Sequence, residues 1–227
     1  MIAALHLAVG TVAVATGLIA MFTKKGTKIH KHAGTAFMIS IVLLSLSGFY
    51  LSHVRDLQFT FLLSGLALYL VLTGWMAAKR SSAKDGVSHV SLYDKAGLVF
   101  MVIFVSGCFL VSYFGVRFGW TYPTSEPAYE AYALIGGCGL LFLVGDVNYL
   151  RVGRATESIR LKRHLTRMCS TMLIATTIFF LGNNHVLPEL LRSTPILLIP
   201  ILTVAVFMLI YRLGFQRLGF QRQSFKT

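Results

Sequence analysis

Residues 33–52 read Ala-Gly-Thr-Ala-Phe-Met-Ile-Ser-Ile-Val-Leu-Leu-Ser-Leu-Ser-Gly-Phe-Tyr-Leu-Ser, and no charged side chain stands between Lys31 and Arg55. Coiled as a helix at about 1.5 Å per residue, such a run measures about 30 Å, the thickness of a bilayer's hydrocarbon. Six further stretches are uncharged or nearly so: 3–22, 58–78, 92–116, 129–150, 165–182 and 194–212. Over the 227 residues, 56% are hydrophobic and 13% charged, against about 25% charged in a soluble domain. This balance excludes a disordered chain, and one soluble core of this length could not hide so much apolar surface. Three cysteines are too few for a disulfide scaffold. The expected fold is all-α, an integral membrane bundle of seven transmembrane helices.

The formal charge of +13 has two readings, a nucleic-acid partner or a record of membrane topology. Position decides between them. Lys24, Lys25, Lys28 and Lys31 fill the first connection. Lys79, Arg80, Lys84 and Lys95 surround the third, and Arg151, Arg154, Arg160, Lys162, Arg163 and Arg167 the fifth. Arg212, Arg217, Arg222 and Lys226 lie in the tail. Of the 21 basic residues only Arg55, Arg117 and Arg192 fall in the intervening connections. Basic-rich and basic-poor connections therefore alternate, which predicts an outward N-terminus and a cytoplasmic C-terminus. No soluble face gathers the charge, so nucleic acid is not the expected partner. Residues 1–22 have no basic segment ahead of the apolar run, and the Lys cluster follows it, as in a retained first helix. The expected organisation is one seven-helix domain over 1–213 and a basic cytoplasmic tail over 214–227. That tail repeats Arg-Leu-Gly-Phe-Gln at 212–216 and 217–221, a period of five that fits no helix face cleanly. Its expected partner is anionic lipid at the cytoplasmic surface. Trp120, Tyr122, Pro123, Pro127 and Tyr129 suit the opposite headgroup region, and Pro200 is expected to kink helix 7. Cys108, Cys138 and Cys169 fall inside helices, where cysteine acts as a small apolar residue.

Polar groups are costly in hydrocarbon, so chemistry is sought where they enter it. His6 heads a stripe of small residues at helical spacing: Gly10, Ala13, Gly17 and Ala20. His32 heads another with Ala36, Ser40, Leu43 and Ser47, and His164 a third with Met168, Thr171, Ala175 and Gly182. Such stripes serve close helix packing as well as room for a flat cofactor. Helix 5 carries Asp146 near its cytoplasmic end, with Gly136, Gly137, Gly139 and Gly145 before it. His32, His164 and Asp146 all belong within about two turns of the cytoplasmic boundary, with His30, His89, Asp94 and Arg167 at similar depth. Asp146 and Arg167 are natural partners at that depth. His30 and His89, beside charged or polar neighbours, read as boundary residues. The outer set is thinner: His6, His53 and His185. Histidines from different helices can ligate haem iron, or hold a divalent metal together with a carboxylate. His32 and His53 are about 31 Å apart along one helix, the whole hydrocarbon thickness, so both belong at surfaces; this argues against a two-haem wire on helix 2 and favours a single inner haem between His32 and His164. His164 and Met168 share one helix and cannot supply opposite axial ligands, so a second helix must contribute. Hydrolase, phosphate-loop and dinucleotide motifs are absent from the sequence.

Several stretches carry a resemblance. They are residues 23–48, from Thr-Lys-Lys-Gly-Thr-Lys-Ile-His-Lys-His through Ser-Gly, and Tyr-Leu-Val-Leu-Thr-Gly-Trp at 69–75. Asp146 follows, then Arg-His-Leu-Thr-Arg-Met at 163–168, Ala-Thr-Thr at 175–177 and Leu-Pro at 187–188. Over nearly its whole length the chain resembles a family of bacterial multi-pass membrane proteins catalogued as domain of unknown function 2306. The resemblance implies a bacterial inner-membrane location and marks His6, His32, Asp146, His164, Arg167 and Met168. It implies no particular reaction.

The functional expectation is a redox-associated membrane protein holding a b-type haem or a quinone near the cytoplasmic face. His32, His164, Asp146, Arg167, Met168 and His6 are the candidate cofactor-binding residues. His32, His164 and Asp146 are the candidate ligands if the group is a divalent metal. The alternatives are a small-solute or proton transporter using Asp146 and the histidines as a relay, a metal-dependent membrane hydrolase, and an accessory subunit without chemistry of its own. Expected protein partners are another membrane protein or a second copy of the chain.

Overall fold

The computed structural model describes residues 2–79, 87–120, 127–182 and 187–224. Arg80, Lys84, Tyr122, Pro123, His185 and Lys226 lie outside the described residues, as do the side chains of His89, Arg154, Arg217 and Arg222. Seven helices are long and apolar enough to cross a membrane: α1 (Ile2–Phe22), α2 (Lys28–Arg55), α3 (Gln58–Lys79), α4 (Leu92–Phe118), α5 (Glu130–Val152), α6 (Glu157–Thr177) and α7 (Thr194–Ser224). A five-residue π-helical turn, Ile178–Gly182, continues α6, and a short 3-10 turn covers Glu189–Leu191.

Two helices begin earlier than their uncharged stretches. α2 starts at Lys28 because Thr27 caps it: its hydroxyl accepts the His30 backbone N–H at 3.3 Å, satisfying one of the helix's orphan donors. α6 starts at Glu157, whose negative charge suits the positive end of a helix. Lys and Arg are good helix formers whose long stems let the charge reach water, so a basic connection can wind into a helix without leaving its boundary. His32 thus lies one turn, and His164 two turns, inside their helices rather than at the starts. α7 likewise continues beyond its apolar part, which ends at Gly214, through the basic repeat to Ser224. Pro200 sits within it.

The chain forms two compact units. Unit 1 comprises Met1–His6, Val42–Tyr69 and Arg80–Ile159. Here α4 and α5 pack closely, because Gly136 lies against Cys108 and Phe109, and Gly139 against Met101, Phe104 and Val105. Gly137 and Gly145, by contrast, face open space, so only half of the α5 glycines serve this contact. Near Gly115 the Tyr129 ring occupies the place of a side chain. Tyr129 is therefore buried and stacks edge-on against Trp120 at 6.1 Å. At the other end Gly153 adopts the left-handed conformation (φ 66°) that ends α5. A short ribbon follows: β1 (Val87–His89) pairs antiparallel with β2 (Arg154–Thr156), Ser88 opposite Ala155. The third and fifth connections, both basic, are thereby joined at one end of the unit. An all-α reading of the sequence did not include this ribbon.

Unit 2 comprises Leu7–Ile41, Leu70–Lys79 and Arg160–Thr227. The stripe predicted on α1 is buried at Gly10, Ala13 and Gly17, with Gly17 against Phe37 of α2 and Met172 of α6. Gly74 of α3 lies against Arg167 and Met168 of α6. Phe22 meets Phe207 of α7 edge-on at 6.0 Å.

Candidate functional site

The polar groups predicted from the sequence fall into both units. In unit 1, Asp146 is 1% exposed on α5. The Tyr69 hydroxyl donates to its Oδ2. Tyr69 is itself buried, its ring stacked on Phe100 at 5.6 Å. A buried carboxylate needs donors, and a phenol supplies one without adding charge. His6 is held elsewhere in the unit, where its Nδ1 and the Ser47 hydroxyl oxygen are 2.7 Å apart. Ser47 donates its own proton to the Leu43 carbonyl at 2.8 Å, so the His6 proton sits on Nδ1 and points at Ser47. Asp94, also buried, reaches back from the first turn of α4 to the Ser91 N–H at 2.9 Å and closes the start of that helix.

In unit 2 a compact polar contact joins α3 to α6. His164 Nδ1 donates to the Gly74 carbonyl oxygen at 2.9 Å. Arg167, 3% exposed and one turn further on, donates from its guanidinium to the Thr73 hydroxyl. Gly74 makes this possible, since a Cβ there would sit 3.0 Å from the Cβ of Arg167 and 3.6 Å from Met168. Because a carbonyl can only accept, the neutral His164 ring carries its proton on Nδ1 and presents a lone pair at Nε2. That is the orientation protein histidines adopt when they ligate a metal or accept a proton.

The connection between α1 and α2 adds a second polar group. Lys25 Nζ donates to the carbonyl oxygens of Ala20 (3.1 Å), Met21 and Thr23 (3.3 Å), closing the C-terminus of α1. The same ammonium lies 5.0 Å from the centre of the Phe207 ring and 5.3 Å from that of Tyr211. Burial pulls the Lys25 ammonium below its ordinary 10.5, opposed by nearby Cys169. His30 Nδ1 bonds the Ala20 carbonyl at 2.9 Å.

Unit 2 thus brings His164, Arg167 and Met168 together around Thr73 and Gly74. His32 belongs to the same unit but is exposed, and His53 of unit 1 is exposed too. All three cysteines are free, Cys108 and Cys169 buried and Cys138 exposed. Among the described residues no group of three or more His, Cys, Asp or Glu side chains is placed to hold a metal ion.

Sequence reasoning did not mark Tyr69, Thr73 or Lys25 as site residues, and it set His30 aside as a boundary residue. The first two lie in the heptapeptide 69–75, which also contains Gly74, so one short stretch supplies a partner to each of Asp146, Arg167 and His164. A tyrosine and a threonine spaced four residues apart within an apolar helix were the available signal. For His30 the signal was Thr27, whose capping makes that histidine part of a helix. No family model, no curated protein and no solved structure matches this chain, so its functional reading rests on these side chains.

Proposed function

We propose that this multi-pass membrane protein is redox-associated and holds a haem or a quinone at His164. In this reading the protein sits in a bacterial inner membrane with its N-terminus outside and its C-terminus in the cytoplasm. The observation that carries the reading is the 2.9 Å bond from His164 Nδ1 to the Gly74 carbonyl, which leaves Nε2 as an oriented lone pair. That atom can ligate iron or accept the proton of a quinol hydroxyl. Arg167, one turn further along α6 and bonded to Thr73, fixes the positive charge of this contact. The test is an absorption spectrum of the detergent-purified protein together with solvent extraction for quinone. Stoichiometric haem or quinone in the wild type, lost in His164→Ala, is the expected result. Neither group in a folded preparation overturns the reading.

A second reading, proton or small-solute transport, is favoured by one observation, the buried Asp146 carboxylate with its Tyr69 donor. Intramembrane carboxylates of this kind serve as relays. Proton flux into vesicles that is unchanged in Asp146→Asn would remove it.

A further inference from the structure

Unit 1 holds two bonded titratable groups, His6 with Ser47 and Asp146 with Tyr69, and a buried hydroxyl stands between them. His6 is one turn inside the start of α1, and Asp146 is in the second turn before the end of α5. Where successive helices alternate in direction, those two ends lie on opposite sides of a membrane. Ser45 of α2 is 2% exposed, and among the described residues its Oγ has no hydrogen-bond partner. Serines in apolar helices ordinarily bond a carbonyl one turn back. Ser47 does so to Leu43 and Ser52 to Phe49, each at 2.8 Å, but Ser45 does not. A buried hydroxyl without a bond is costly, and a water satisfies it where neighbouring polar groups share that water.

The packing of α2 on α3 sets the level of Ser45. A Cβ on Gly65 of α3 would lie 3.9 Å from the Phe49 ring of α2, and Phe49 also meets Phe61 of α3 at 5.0 Å. The two helices run antiparallel across a short turn. One turn further in from the Phe49–Gly65 contact are therefore Ser45 on α2 and Tyr69 on α3. Phe100 marks the same level, since it stacks on Tyr69 at 5.6 Å and would lie 3.7 Å from a Cβ on Gly65. In the other direction, Gly48 is one turn outward from Ser45 and is buried like it. The Ser64 hydroxyl packs directly on Gly48, and a Cβ there would lie 3.8 Å from Cε1 of His6. His6 and Ser64 thus meet over Gly48, and Ser45 stands within one turn of that meeting and at the level of Tyr69.

We propose that unit 1 conducts protons from His6, through waters held by the Ser64 and Ser45 hydroxyls, to Tyr69 and Asp146. This rests on the transport reading of Asp146 and names its ion, its entrance and its path. His6 is half-buried and within reach of the surface. Its Nε2 binds a proton while Nδ1 keeps the bond to Ser47, and the proton leaves Nε2 for the water on Ser64. That water passes a proton to the water on Ser45. The Ser45 water gives one to the Tyr69 oxygen as Tyr69 gives its own to the Asp146 carboxylate, so every oxygen on the path gives one proton and takes one. Asp146, now neutral, releases its proton at the far side. Asp94, the other buried carboxylate of unit 1, closes the start of α4 through Ser91 and stands off this path.

The full-length protein is reconstituted in liposomes that enclose a pH-sensitive dye, and a potassium diffusion potential drives protons inward. Wild-type liposomes acidify faster than protein-free ones. Ser45→Ala slows the flux roughly tenfold or more, the rate equivalent of one lost buried hydrogen bond. Its melting temperature does not fall, because the substitution removes a hydroxyl that no protein group bonds. Ser45→Thr keeps the hydroxyl and keeps the flux, a rescue that a merely structural serine would not show. Flux unchanged in Ser45→Ala but lost in Asp146→Asn overturns the path and leaves the transport reading standing. Flux unchanged in His6→Ala likewise overturns the path at its entrance. Wild-type liposomes that acidify no faster than protein-free ones overturn both.

Discussion

Tyr69 donates its phenolic proton to Asp146 across 77 residues of sequence, and both side chains are buried. Removing the donor leaves the carboxylate with one bond fewer in a place where water cannot replace it. Tyr69→Phe should therefore cost about 1–3 kcal/mol of stability, measured by unfolding in mixed micelles. Asp146→Asn removes the charge as well, so the double variant should be less destabilised than the two single losses added together. Strict additivity would mean that the two residues do not act as a pair.

The α5 glycines divide into two kinds, and substitution should separate them. A Cβ on Gly139 would lie 3.0 Å from Val105 and 3.2 Å from Phe104, so these packed side chains would have to give by a few tenths of an ångström. Gly139→Ala should lower stability by about 1–3 kcal/mol, as overpacking does. A Cβ on Gly137 meets nothing within 4 Å. Gly137→Ala should be neutral or gain up to about 1 kcal/mol from helix propensity. Equal effects in thermal melts of the two variants would contradict this division.

Burial lowers the proton affinity of Lys25 in the folded state relative to 10.5. In the window just below 10.5 the unfolded chain still binds that proton while the folded chain has begun to release it. Stability must then rise as pH climbs through that window, and the penalty is present in full below the folded value. Melting temperatures recorded from neutral pH to 10.5 should show a steeper upward slope in the wild type than in Lys25→Met. The slope is the diagnostic quantity, because the substitution also removes the bonds that close α1.

The alternation of basic residues predicts a cytoplasmic C-terminus. A fluorescent protein fused after Thr227, of a kind that matures only in the cytoplasm, should glow, and a phosphatase active only outside should be silent at the same position. The reverse pattern would invert the topology and move His164 to the outer side.

The seven helices were legible because a bilayer admits few solutions: uncharged runs of this length have to satisfy their backbone internally. Helix starts were less legible, since charge marks the membrane boundary and a cap marks the helix boundary. Thr27 separates the two by five residues on α2, which is why His30 read as a solvated neighbour of Lys31 and is instead a bonded helical side chain. His164 and Arg167 could be singled out by burial cost, but their partners could not. Thr73 and Gly74 are about ninety residues away and carry no charge to announce themselves. The ribbon between β1 and β2 was invisible for a related reason, as three-residue strands such as Val-Ser-His and Arg-Ala-Thr have no pattern apart from each other.

That ribbon has a consequence for how the protein is made. The residues that pair with Val87–His89 are synthesised only after α4 and α5 are complete. The near end of α4 therefore waits, its strand unpaired, until the ribosome has delivered Arg154–Thr156. α4 and α5 should leave the insertion machinery as a closed hairpin, fastened by the ribbon at one end and by Tyr129 against Gly115 at the other. A stop placed just before Arg154 would release a nascent chain with both crossings present and the clasp missing, and such a chain should be degraded faster than one extended past Thr156.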